Sequence, residues 1–417
     1  MRRAAQVSVG LGFVLALWSA IGWSAQDKFS LDELKRLALA SNRSLTAALS
    51  GVDASRAGVL TASAYPNPET EFGFGHAAPR LAGGAAGASH TYTLTQRIDN
   101  PWQREARIAA AQSAVSSAES GLRVSQNTVL ARLATAFYDL LRRQEEVVAA
   151  REDLALAESI GDKVRVRVEV GEAPRYELIK AEAERLSAQT AARSAELRVE
   201  QAKVAIRSLV SAELPAQFEV VGDWSEPVAL PPVESLRQRL LDRSSELAVL
   251  RADVARAQRL VELEKARRMP EVAVRAVQER DPDLENNRVG VVLTIPLWDR
   301  RAGPVAEAEA QVTRGRSQLE HSQFVLAQSI ESAWGQYGIA RNLVASLENG
   351  ILREAEAALK VAEAAYRFGE RGILDFLDAR RVFRAARNDL IAARFELEAA
   401  RIEVERLQGD LLRSDAP

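Results

Sequence analysis

The stretch AYRFGERGILDFLDAR, residues 365–380, places Asp375 and Asp378 three positions apart, shortly after Gly369. On a helix that spacing puts both carboxylates on one face. A carboxylate pair can trade a proton, hold a cation or repel its neighbours. No catalytic constellation accompanies the pair: the chain has no nucleophile elbow, phosphate loop or His-Glu zinc motif. Gly83, Gly84 and Gly87 lie in a loop with no helix start behind them to hold a phosphate. His76, His90 and His321 stand at no ligand spacing from one another, and there is no cysteine. No enzyme activity, cofactor or dedicated metal site is expected. The chemistry left to the pair is electrostatic: to attract cations, and to bind hard divalent ions loosely through oxygen. Taken alone, two aspartates on a charged helix read as a solvated face.

The elements that must carry this face are long. From Gln103 to Val168 there is no proline, and the only glycines are Gly121 and Gly161. At 1.5 Å per residue such a helix approaches ~100 Å. Leu130, Leu133, Phe137, Leu140 and Leu141 recur at spacings of three and four among Arg, Glu and Gln, the seam of coiled-coil packing. The order of segments occurs twice. DELKRLALASNRSL (32–45) matches SLRQRLLDRSSEL (235–247), and each opens a helix that runs to a proline segment, YPNPETEFGFG (65–75) or MPEVAVRAVQ (269–278). A second strand-like run follows, HTYTLTQRID (90–99) or RVGVVLTIPLW (288–298), then an alanine-rich helix that stops at a glycine. Gly171 aligns with Gly369, and Glu177 falls where Asp375 stands. The reading divides the chain into a first repeat over 26–210, a linker over 211–234 rich in proline and acids, and a second repeat over 235–417.

The strands show period two. Val289, Val291, Leu293, Ile295 and Leu297 share one face, and Arg288, Gly290, Val292 and Thr294 the other. Tyr92, Leu94 and Ile98 oppose Thr91, Thr93, Thr95 and Arg97, while Phe72 and Phe74 oppose Glu71 and Gly73. One apolar face and one small or polar face over about ten residues suits a membrane barrel. Trp102 and Trp298, at the ends of the second strands, suit an interfacial belt. Four strands cannot close a barrel, and an open edge is not tolerated in lipid. Closure by symmetry, with further copies of the same chain, is the economical solution.

The N-terminus reads as a signal peptide over residues 1–25: Arg2 and Arg3, an apolar run from Val7 to Ile21, then small residues. Its removal takes the formal charge of the 417-residue chain from −2 to −4. No basic balance or polybasic tract points to nucleic acid. Without cysteine there is no disulfide and no thiol for an acyl anchor.

The duplicated helix–strand–strand–helix–turn–helix order, with its two glycine turns, resembles the TolC family of outer-membrane efflux channels over nearly the whole mature chain. The resemblance implies a mainly α fold with a small β part. Duplicated long helical hairpins form a periplasmic α-barrel, and four strands per protomer build a trimeric 12-stranded outer-membrane β-barrel. It implies a homotrimer in the outer membrane of a Gram-negative bacterium, with a large periplasmic extension. A periplasmic adaptor and an inner-membrane pump of the RND type would complete a tripartite system. Tyr366, Gly369, Arg371, Asp375 and Asp378 match the family's tip motif without a gap. By that match Asp375 and Asp378 face the constriction, and Tyr366 and Arg371 tie the inner hairpin to an acid on the outer one, here Glu177. The turns at Gly171 and Gly369, with Glu172 and Glu370, become the adaptor-docking surface. ASAYPNPETEFGF and QRIDNPWQREARIAAA resemble the CzcC-like branch, which serves heavy-metal cation pumps, although PWQR replaces that branch's usual glycine and lysine before the arginine. The competing readings are the periplasmic adaptor of such a pump, which has one hairpin rather than two, and a secreted coiled-coil protein, which needs no alternating strands.

Overall fold

The computed structural model describes residues 27–412, except 79–82, 84, 211–213, 225 and 227–228. The expected signal peptide and part of the 76–90 loop therefore lie outside the described residues. The first half comprises β1 (Asp27–Phe29), α1 (Leu31–Ser41), α2 (Arg43–Ser63), β2 (Glu69–Ala77), β3 (Gly87–Ile98), α3 (Pro101–Glu169) and α4 (Arg175–Val210). Then come β4 (Phe218–Val220), α5 (Val233–Arg243), α6 (Ser245–Ala266), β5 (Glu271–Asp281) and β6 (Leu284–Thr294). The second half continues with α7 (Ala302–Ser346), a π-helical turn (Leu347–Ile351), α8 (Leu352–Arg367) and α9 (Ile373–Gln408). The order α–α–β–β–rod–hairpin return occurs twice.

Local chemistry sets the ends. Ser30 opens α1 with a capping box: the Glu33 amide donates to Ser30 Oγ, and the Ser30 amide donates to Glu33 Oε2 at 2.8 Å. Asn100 accepts from the Trp102 amide, and Pro101 takes the first helical position of α3, where a missing N–H costs nothing. The single helix expected before each proline segment is a pair in both halves. Asn42 and Ser244 are extended residues that cap α2 and α6, accepting from the amides of Ser44 and Leu45 and of Leu247. Asn42 also donates through Nδ2 to the Leu209 carbonyl at 2.6 Å, which ties this break to the end of α4. The segment read as a plain linker contains β4, which pairs in parallel with β1.

The four longer strands form one antiparallel sheet, in the order β2-β3-β5-β6, so the two halves join at β3 and β5. Register aligns Phe72 with Tyr92, Leu94 with Ala276, Ile98 with Val272, and Val272 with Leu293. These residues share the face that exposes Phe74, Val289 and Val291 at 74%, 79% and 70%. The opposite face carries Glu71, Gly73, Thr93 and Gly290, with Arg97–Glu69 and Arg288–Glu279 ion pairs at 3.0 Å each. A sheet that leaves its apolar face bare is built for lipid rather than water. Within the protomer β2 and β6 are its unpaired edges. One expectation fails here: the strand foreseen over 288–298 spans Leu284–Thr294. Pro296 cannot donate to a ladder, so Ile295 and Leu297 fall in the connection to α7 with Trp298, which is 94% exposed.

Rods hang from the sheet. Arg104 and Arg107 of α3 cap the last carbonyls of α2, donating to Ser63 O and Ala62 O at 2.8 and 2.7 Å, and Arg107 pairs with Asp99 at 2.7 Å. α3 is 69 residues long, or ~100 Å at 1.5 Å per residue. Its buried residues, Leu130, Leu133, Phe137 and Leu140 among them, meet α1, α4 and α9 at mid-length. Apolar cores are strung along the rods, and a separate cluster of Ile160, Val164, Ala181, Ile373 and Phe376 holds the far end.

Candidate functional site at the hairpin tips

Both hairpins turn in the same way. Gly171 has φ +78° and Gly369 φ +76°. The Glu172 amide donates to Arg167 O at 2.8 Å and the Gly171 amide to Val168 O at 3.1 Å. The second turn repeats this: Glu370 to Ala365 O at 2.9 Å and Gly369 to Tyr366 O at 3.1 Å. These are Schellman closures, which need a left-handed residue after the helix. A Cβ at either glycine would meet no atom within 4 Å, so backbone conformation and not space demands glycine there.

The two tips pack into one body. Ile160 and Val164 of α3 and Ala181 of α4 are buried with Ile373 and Phe376 of α9. Tyr366 stacks on Phe376, ring centroids 5.9 Å apart and planes 7° from parallel, and Arg167 lies 5.5 Å from the Tyr366 ring centre. Between α3 and α8 this leaves a groove of about 750 Å³. Leu156, Val166 and Phe376 supply its apolar lining, Lys163 and Arg167 line it together with Asp162 and Glu363, and Glu172 and Gly369 border it at the turns. Phe368, beside Gly369, is 78% exposed. Higher up, Arg380 is buried, donates to the Asp153 carbonyl, and is held below the usual arginine pKa by that burial. Glu182 of α4 is held below the usual carboxylate range by hydrogen bonds from Arg185 and Arg165.

Asp375 and Asp378 lie exposed on one face of the first turns of α9, where the helix dipole favours negative charge. Each has its own cation. Arg371 Nη1 donates to Asp375 Oδ2 at 3.3 Å, and Arg381 approaches Asp378 at 3.7 Å. The expected ties to Glu177 are not made within the protomer. The Arg371 guanidinium is taken by Asp375 one turn further on, and the buried Tyr366 Oη and Glu177 Oε2 have no hydrogen-bond partner. Sequence reasoning also missed Arg381 and the groove with its Phe368 rim. The sequence signal was there: an apolar residue stands immediately before each turn glycine, Val170 and Phe368. His90 meets Phe74 edge to face, ring centroids 5.6 Å apart, at the loop end of the sheet.

A sheet bare on its apolar face, on ~100 Å rods that end in paired glycine turns, is the geometry of a channel protomer. The sequence profile of the family described as outer membrane efflux protein matches residues 34–212 and 236–410. The chain belongs to the outer membrane efflux protein family. It is similar to the cobalt-zinc-cadmium resistance protein CzcC of Cupriavidus metallidurans, 27% identical over 369 residues that cover 87% of this chain and 86% of that one. Its fold is that of the Campylobacter jejuni CmeC outer membrane channel, with a TM-score of 0.78 at 17% identity over 98% and 94% of the two chains. The outer-membrane channel OprN superposes with a TM-score of 0.77 at 18% identity over 91% and 89%. This family member is an efflux channel component of the outer membrane and not an enzyme.

Proposed function

We propose that three copies of this chain form the exit duct of a tripartite efflux system, open to the outside through the β-barrel and met at the hairpin tips by a periplasmic adaptor. The observation that carries the reading is the exposed apolar face of the sheet at one end of the rods, with an apolar-lined groove and bare Phe368 at the other. The sheet face supports immersion in lipid, and the unpaired β2 and β6 edges support closure by further copies. The tip groove is lined by Glu172 and Gly369, two of the positions assigned to docking, and supports an adaptor helix pair seated on the turns. Asp375 and Asp378 then ring the narrow end. Arg371 and Arg381 offset their charge inside each protomer, which makes the ring a weaker cation trap than bare carboxylates.

For cargo, the names of two relatives point the same way. CzcC is a cobalt-zinc-cadmium resistance protein, and a 24% identical relative is the nickel-cobalt-cadmium resistance protein NccC. We therefore assign divalent transition-metal cations as cargo, delivered by an inner-membrane pump. Photo-crosslinkers at Glu172 and Glu370 are expected to capture an adaptor protein encoded beside this chain; labelling of the barrel end only would move docking away from the tips. Loss of the gene is expected to raise sensitivity to cobalt, zinc and cadmium salts. Sensitivity confined to organic compounds would remove the metal assignment and leave the duct.

A further inference from the structure

The break between α5 and α6 and the end of α9 meet beside α3. Ser244 caps α6: its Oγ accepts from the Leu247 amide, and its carbonyl from the Ala248 amide at 3.0 Å. The amides of Ser245 and Glu246, just before these, have no helical acceptor, as at any helix start. α9 closes against this start through Gly409, which has φ +73°. A Cβ there would stand 3.2 Å from the Arg243 carbonyl oxygen and 3.5 Å from Ser245 Oγ, so glycine lets the two ends touch.

An open cavity of about 360 Å³ lies at this junction, bounded by Ser120 and Arg123 of α3, Arg243 and Ser245 at the α5–α6 break, and Gly409 and Asp410 after α9. The guanidiniums of Arg123 and Arg243 have no ion pair or hydrogen bond among the described residues. Arg406 close by differs, holding Glu246 at 2.7 Å and Glu403 at 2.8 Å. Asp410, the acid of the lining, pairs with neither free arginine, so the cavity keeps an excess of positive charge. A guanidinium fork matches a phosphate or carboxylate through two parallel hydrogen bonds, and a helix start favours the same charge. Lipid headgroups do not reach this place. Ser120 lies well down α3 from Pro101, roughly 30 Å along the rod at 1.5 Å per residue.

We propose that this cavity binds a free, phosphate-sized oxyanion, held between Arg123 of the first half and Arg243 and Ser245 of the second. The anion clips the two halves together below the sheet and cancels the repulsion between the two guanidiniums, while Asp410 opposes it. The site depends on neither the duct nor its cargo. Titration calorimetry of inorganic phosphate into the full-length protein in detergent, at fixed sodium chloride, tests it. Saturable binding is expected, with a dissociation constant on the order of 1 mM. Arg123→Gln and Arg243→Gln are each expected to weaken it about tenfold, because each removes charged hydrogen bonds. Asp410→Asn is expected to tighten it about fivefold, by removing a nearby like charge. Arg353→Gln, on exposed α8, is the control and should bind as the parent does. A parent protein that takes up no phosphate overturns the proposal. So does affinity that is undiminished in both glutamine variants, which places the ion elsewhere. Damage to the junction weakens binding whatever the substitution, so an Asp410→Asn protein with unchanged or weaker affinity overturns it as well. Where a glutamine variant fails to assemble, the lysine variant replaces it. Lysine keeps the charge and loses the fork, for about threefold weaker binding; unchanged affinity there also counts against the site.

Discussion

At the scale of single residues, the tip is a set of charges and two special backbone positions. Asp375 and Asp378 were chosen from spacing, and each has a guanidinium within 3.7 Å. Arg381→Gln should therefore strengthen block of the channel by millimolar divalent ions, since it bares Asp378. Asp375→Asn with Asp378→Asn should weaken that block while preserving shape and hydrogen-bonding capacity. Planar-bilayer recording of both variants checks the pair, and identical block in the two would return the aspartates to a plain solvated face. Tyr366→Phe removes a hydroxyl that has no partner in the protomer, so thermal stability should move by less than about 0.5 kcal/mol. A larger loss would show that the hydroxyl is bonded in the assembled channel. Gly171→Val and Gly369→Val each force a β-branched residue into left-handed backbone, at a cost of about 1–2 kcal/mol per turn. Trimer yield should hold while efflux falls.

Elements are decided by caps and breaks. The split of the expected N-terminal helix at Asn42, matched by Ser244 in the second half, was missed because the apolar rhythm continues across it. The side-chain caps that win are visible only once the Leu209 carbonyl arrives from α4. Asn42→Ala loses the cap and strands that carbonyl, for about 2 kcal/mol; a lower thermal midpoint of the purified protein is the measurement. Asn42→Asp keeps the cap and loses the link to α4, so its cost should be intermediate. The strand shift from 288–298 to Leu284–Thr294 has the opposite lesson. Pro296 was in plain view, and alternation of apolar residues outweighed it wrongly.

For the whole molecule, exposed apolar surface is the guide. A protomer with a bare sheet face and two free sheet edges is incomplete by itself. In detergent the protein should run as a trimer that shifts to monomer only on heating. A monodisperse monomer in plain buffer would overturn the assembly. Because the chain has no cysteine, single cysteines introduced on β2 and β6 can be crosslinked without background. Bridges between protomers at the sheet edges are the expected product.

The sequence by itself determined the periodicities: 3.6 in the rods, two in the strands, and a duplicated order broken by Gly171 and Gly369. Those features are local, since helix ladders, turn glycines and alternation depend on neighbours within a few residues. It also made the tip motif legible, from Tyr366 to Asp378. What only the tertiary structure decided involves residues far apart in the chain. The pairing of β3 with β5, the parallel β1–β4 contact and the groove between α3 and α8 each join segments from different halves or from beyond a rod. The partner of Arg371 belongs to the same class of question. The sequence reading assigned Arg371 to Glu177, but within the protomer geometry decides for Asp375, which stands four residues further on, while Glu177 lies on the other hairpin.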